Sequence, residues 1–203
     1  MASKKGQVSS VSVSDYSADL FLSGKWMNLE AIPDNKVDLV NVLTDAGWAP
    51  YAQLRDEWFM LAYGEFWFNA KETEDGIVGT IGDKEYLISQ ETIAAASLCK
   101  NTGAVFTTNW EVAVGPDVVD RTIYGQLRGP DDEASKFYRS SNLTPLCRIL
   151  ENLLFNIFTP RSGGKDNVNV RDRFCLYHMK LRKPVNLPAV IFNHWVGHLS
   201  FRN

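Results

Sequence analysis

Hydrophobic residues recur at three- and four-residue steps over much of this chain, the period of helices that bury one face. The strongest run is Thr144–Phe158, where Leu146, Ile149, Leu150, Leu153, Leu154, Ile157 and Phe158 form a wide apolar stripe and Pro145 suits a first turn. Thr159-Pro160 and Ser162-Gly163-Gly164 break it. Tyr51, Leu54, Trp58, Leu61, Ala62, Glu65 and Phe66 follow the same spacing and predict a helix from about Pro50 to Asn69. A strand over Glu65–Ala70 is the alternative there, because aromatics dominate. Pro33-Asp34-Asn35 marks an earlier helix start, with Val37, Leu39, Val40, Val42 and Leu43 on a mixed apolar face that ends before Gly47. Pro130-Asp131-Asp132-Glu133 opens a short helix, and two more are expected over Val168–Leu181 and from Leu187 or Pro188 to Leu199.

One stretch reads differently. Ile77–Ile81 and Glu85–Ile88 are β-prone runs flanking Gly82-Asp83-Lys84, the sequence of a hairpin whose turn uses a glycine. Ser89 then caps a helix carrying Glu91 in its first turn and Ile93, Ala94, Ala95, Ala96 and Leu98 on its way to Cys99. Thr102–Gly129 has weak periodicity and is read as a long irregular connection, with one strand at Glu111–Val114. The expected fold is therefore mainly α, a helical domain with a small β-hairpin (ββα) insertion. Residues 1–19 are expected to be a flexible leader, polar and Ser-rich, and residues 20–203 a single helical domain.

Composition narrows the class. With 203 residues, 45% of them hydrophobic and 22% charged, the chain suits one ordered domain. Six Trp residues supply bulky anchors, either for the core or for a sticky surface. Cys99, Cys147 and Cys175 form no close-spaced pair, which fits reduced thiols in nucleus or cytoplasm. The longest apolar-aromatic stretch, Trp58–Phe68, is interrupted by Gly64 and Glu65 and falls short of the ~20 residues of a membrane span, so no membrane partner is expected. The net charge of −3 is unevenly spread. From Arg161 onward eight basic residues face two acidic ones, a balance of +6 that leaves −9 on the first 160 residues.

Two blocks carry a resemblance. The first is Tyr63-Gly64-Glu65-Phe66-Trp67-Phe68-Asn69-Ala70, then the hairpin, then Ile88-Ser89-Gln90-Glu91-Thr92-Ile93-Ala94. The second is Leu143-Thr144-Pro145 through Ile157-Phe158-Thr159-Pro160, then Leu176-Tyr177-His178 and Val185-Asn186-Leu187-Pro188. Over roughly Trp26 to Leu199 the chain resembles the plant transposon protein domain, a family of plant proteins associated with retrotransposons. The resemblance implies a helical fold in a transposon-derived plant product. Because the sequence stops just after the last expected helix, it is expected to be a fragment of a longer product. The resemblance implies no reaction, for the family offers no catalytic residues to carry over, and no transposase activity is expected.

Cys175-x2-His178 and His194-x3-His198 have zinc-finger-like internal spacings, and a zinc-binding domain is one alternative. Core-type neighbours such as Phe174, Leu176, Tyr177 and Met179 favour simple burial of the first pair, so no metal or other cofactor is expected. Asp117, Asp120, Asp131, Asp132 and Glu133 are candidates for a divalent-ion site, yet they lie in turns and at a helix start where capping explains them. No Gly-x-Ser-x-Gly elbow or phosphate-binding loop is present, and Ser162-Gly163-Gly164-Lys165 reads as a linker. The expected function is a non-enzymatic protein-interaction or assembly domain, acting by self-association or by docking a protein partner, with no small-molecule substrate. The alternative is a nucleic-acid-binding module that grips phosphates through Arg161, Lys165, Arg171, Arg173, Lys180, Arg182 and Lys183.

Overall fold

A computed structural model describes residues 38–54, 60–161 and 163–200; the expected leader and the helix start at Pro33 lie outside them. Ten α-helices and one three-stranded antiparallel sheet are present among the described residues. The fold is mainly α.

Helix α1 (Leu39–Asp45) and helix α2 (Ala49–Ala52) bury Leu39, Val42, Leu43 and Ala52, and the connection between them buries Trp48. Trp48 is wholly enclosed, its indole N–H donates to the Val185 carbonyl at 2.9 Å, and its ring meets Phe158 edge-on at 4.8 Å. The single helix expected over Pro50–Asn69 is not formed. The chain leaves helical geometry at Gln53 and Leu54, and α3 covers Met60–Asn69. The reason is that the two halves serve different cores. Tyr51 and Ala52 pack in the main cluster with Phe158, whereas Phe66 and Trp67 pack around Ile77 of the sheet. One straight rod aims its apolar stripe in one direction and would miss one of the two.

Strands β1 (Lys71–Thr73), β2 (Gly76–Ile81) and β3 (Lys84–Ile88) lie in that order. The β2–β3 turn is Gly82-Asp83, with Gly82 at φ 59°, as a tight two-residue hairpin requires. Strand β1, absent from the sequence reading, extends the hairpin to a meander in the register Lys71↔Val78, Glu72↔Ile77 and Thr73↔Gly76. The alternative strand over Glu65–Ala70 is not formed either: Glu65–Asn69 finishes α3, and pairing begins at Lys71. The α3 helix presses so closely on β2 that a Cβ on Gly79 would lie 2.7 Å from the Phe66 ring. Only glycine fits there.

Helix α4 (Gln90–Ser97) starts on the expected cap. The Ser89 hydroxyl accepts from the Thr92 N–H, and Thr92 Oγ1 accepts from the Ser89 N–H at 2.8 Å, a reciprocal capping box. The irregular connection expected at 102–129 is a correction. It contains α5 (Trp110–Val114) and α6 (Pro116–Tyr124), and no strand at Glu111–Val114. Gly115, at φ 97°, turns the corner between them, and Pro116 occupies a first-turn position. Val112, Val114, Val118 and Val119 gave the segment a strand-like composition. Helix propensity differs by less than about 1 kcal/mol per residue, and burying Trp110, Val119, Ile123 and Tyr124 on one side outweighs it.

Helices α7 (Ala134–Phe137) and α8 (Pro145–Leu153) follow, the latter continuing as a π-helical turn over Leu154–Phe158. Helices α9 (Val170–Lys180) and α10 (Leu187–Ser200) complete the domain. Helix α9 runs through the main core, burying Phe174, Cys175, Leu176, Tyr177 and Met179. Helix α10 joins the two clusters: Val190 and Ile191 belong to the main core, while Leu199 and Trp195 meet Trp67 and Ile77 in the sheet-side one. No helix among the described residues is long and apolar enough to cross a membrane.

Candidate functional site

The seven basic residues do not form one face. Arg173 points inward from α9, only 9% exposed. Its guanidinium makes a two-pronged contact with Glu111 of α5 at 2.6 and 3.0 Å, donates to the Val168 carbonyl at 3.0 Å, and lies 4.0 Å above the Tyr138 ring. Arg161 pairs with Asp172 at 2.5 Å and lies over Phe155. Arg182, at φ 56°, bridges Asp38 and Asp45 at the two ends of α1, the latter at 2.7 Å. Lys165 and Lys183 are exposed, Lys180 and Arg171 half-buried, and none of these four enters an ion pair among the described residues. Arg171 and Lys180 are nine positions apart on α9, which at 3.6 residues per turn sets them on opposite sides of the helix.

The charge asymmetry thus has an internal use. Glu111, Asp38 and Asp45 come from the acidic first part of the chain, and they neutralise Arg173 and Arg182 from the basic last part. The pairs tie α1 and α5 to α9 and the turn after it. Sequence reasoning could not find the partners, because 62 to 144 positions separate them.

A second polar group lies under α8 and α9. Glu151 and Asp172 are each 2% exposed, and Glu151 Oε1 has no hydrogen-bond partner among the described residues. Burial raises the Glu151 carboxyl above its ordinary value, and the charge of Asp172 adds to the effect. Burial also raises Asp172, against the pull of Arg161. On α10, His194 Nε2–H donates to the Pro160 carbonyl at 3.1 Å; burial, then neighbouring His198, depress its pKa to about 4. At 2% exposure neither carboxyl presents itself to an outside molecule.

The metal and acid candidates also separate. Cys175 is enclosed in the core and its thiol is pushed up by burial, as are those of Cys99 and Cys147. His178 Nδ1–H donates to the Phe174 carbonyl one turn earlier at 2.9 Å. Among the described residues no three His, Cys, Asp or Glu side chains come together in a group able to hold a metal ion, so the two zinc-finger-like pairs do not assemble one site. Asp132 accepts from the Gly129 N–H at 2.9 Å, Glu133 pairs with Lys136 at 3.1 Å on the surface, Asp117 sits in the first turn of α6, and Asp120 is buried on that helix.

The sequence reading places β3 in the hairpin but misses that its outer edge is exposed. It is an edge strand, and four of its five residues are exposed. Tyr86 pairs with Gly79 and so shares the face of Ile77 that meets α3, while Leu87 pairs with Val78 on the opposite face. Both are 44% exposed. The signal was available: adjacent apolar residues in a strand point to opposite faces, and α3 and α10 cover only one of them. The outward backbone groups can be assigned from the register. Ile81 and Lys84 close a two-residue turn and exchange both hydrogen bonds, as do the alternate pairs Gly79–Tyr86 and Ile77–Ile88. The N–H and C=O of Glu85 and Leu87 therefore point away from β2, and no described backbone group pairs with them. Set against family models, curated proteins and solved structures, the chain matches none.

Proposed function

We propose that this chain is a protein-interaction or assembly domain that performs no reaction, in keeping with the resemblance to the plant transposon protein domain. The observation that carries the reading is β3, a strand with Tyr86 and Leu87 exposed on its two faces and, among the described residues, two residues of unpaired backbone along its outer edge. Such an edge is a template for another strand. The opposite edge, β1, is only three residues long and reads Lys71-Glu72-Thr73, a short charged strand of the kind that discourages pairing. Phosphate binding by the C-terminal basic residues is the weaker reading, since Arg161, Arg173 and Arg182 are engaged with carboxylates. Light scattering over a micromolar to millimolar concentration series, together with affinity capture and mass spectrometry from native tissue, tests the proposal. Association with itself or with a defined protein is expected; a strict monomer that captures no protein refutes it.

A further inference from the structure

We infer that the occupant of the β3 edge is a second copy of this chain, paired antiparallel across a twofold axis that passes beside Tyr86. This deepens the assembly reading above and rests on it. A twofold axis in line with an edge strand requires antiparallel pairing, and the unpaired groups of Glu85 and Leu87 must face the same groups of the partner copy. Three symmetric registers satisfy that condition, and charge and chain geometry separate them. Centring on Glu85 sets the two Glu85 carboxylates directly opposite each other, which is destabilising. Centring on Leu87 requires Glu85 to pair with Ser89, whose N–H is already bound to Thr92 Oγ1 and whose chain turns into α4. Centring on Tyr86 pairs Glu85 with Leu87 of the other copy, twice.

That third register uses all the outward groups and places no like charges directly opposite. It sets Lys84 opposite Ile88 and diagonal to the other copy's Tyr86, within reach of its ring face. The two Tyr86 residues become a non-hydrogen-bonded pair, the closer type, with Cα atoms about 4.5 Å apart. The product is a continuous six-stranded sheet, β1-β2-β3 followed by its symmetry mate in reverse order, in which the exposed Tyr86 side chains lie beside each other and each Leu87 lies beside the other copy's Glu85.

The test uses the full chain. Light scattering is expected to show a species of twice the 22.9 kDa chain mass. In Leu87→Pro the outward N–H is lost while the bonds of β3 to β2, made through Tyr86 and Ile88, are kept; the dimer dissociation constant should rise at least about tenfold. Register is read independently of that variant, by mild oxidation. Tyr86→Cys should form a covalent dimer, whereas Lys84→Cys should not, because its two copies stand about 13 Å apart along the strands. The native thiols are buried and stay silent. Should Leu87→Pro fail to fold, the comparison of the two cysteine variants decides alone. A dimer that resists Leu87→Pro, or that cross-links as readily at Lys84→Cys as at Tyr86→Cys, overturns the edge pairing and leaves assembly through another surface standing. A chain that is monomeric throughout overturns the pairing too, and the assembly reading then falls only if no protein is captured.

Discussion

Replacing Arg173 by Met removes a cation that the fold uses internally, and the size of the loss can be built from its contacts. Arg173 is 9% exposed, and its partner Glu111 keeps 22% of its side-chain surface. Breaking a buried pair by deleting one member costs about 3–5 kcal/mol, because the other charge is left without compensation. The residual exposure of Glu111 lets water relieve part of this, which places the pair near the low end, about 3 kcal/mol. The Val168 carbonyl also loses its donor, about 1 kcal/mol more. A total of about 4 kcal/mol is a large share of the roughly 5–15 kcal/mol that holds a domain folded. It should lower the melting temperature by roughly 10 °C. The assay is urea unfolding of Arg173→Met, Glu111→Leu and the double variant, with Lys165→Ala as a surface control expected within about 0.5 kcal/mol of the parent. The double variant should recover much of the loss, since a pair replaced by apolar groups of similar volume is often close to neutral. If Arg173→Met lies within about 1 kcal/mol of the control, or the two single effects simply add, the argument that this basic residue serves the core is wrong.

Three further outcomes follow from other sites. His194 has its pKa depressed to about 4 from 6.5, so the unfolded chain binds its proton first; stability falls as pH drops through that window, by at most about 3 kcal/mol, and His194→Gln, which keeps an N–H for Pro160, should flatten the loss in melting curves measured across it. Glu151 has the opposite sign: its carboxyl is raised, the folded state is penalised once pH climbs above the ordinary value of 4.5, and Glu151→Gln should be more stable than the parent at neutral pH while losing that advantage in acid. Equal stability at neutral pH would show that Glu151 finds a partner in solution. Gly79→Ala should destabilise by about 1–3 kcal/mol through its collision with Phe66, and trimming Phe66 to Leu in the same chain should return part of it; additive effects would refute the close-approach argument.

The parts of the fold that were legible in the sequence are those whose signal is local. The Thr144–Phe158 stripe and the Ser89 cap each announce themselves within a few residues and appear where expected, while the expected Gly82-Asp83-Lys84 turn tightens to Gly82-Asp83 because Lys84 pairs with Ile81. The misread segments are those where local preference and tertiary demand disagree. Trp110–Val114 has the composition of a strand, yet it forms a helix because Trp110 inserts between Phe174 and Tyr177 of α9. Tyr51 and Phe66 share one helical period but belong to different clusters, and no window of sequence says so. Sign alone marks the C-terminal basic residues as a phosphate-binding face. Arg161, Arg173 and Arg182 have carboxylate partners that only the fold supplies.

The sequence by itself determined the class of this protein: periodic apolar faces make a mainly helical domain, and turn and cap residues place the β2–β3 hairpin and the helix after it. The tertiary structure decided which charges are spent inside and which strand is left uncovered. Periodicity is a property of neighbours along the chain, whereas charge pairing and edge exposure depend on which distant segments meet. That is why Glu111 finds Arg173, and why Tyr86 and Leu87 end on an open edge.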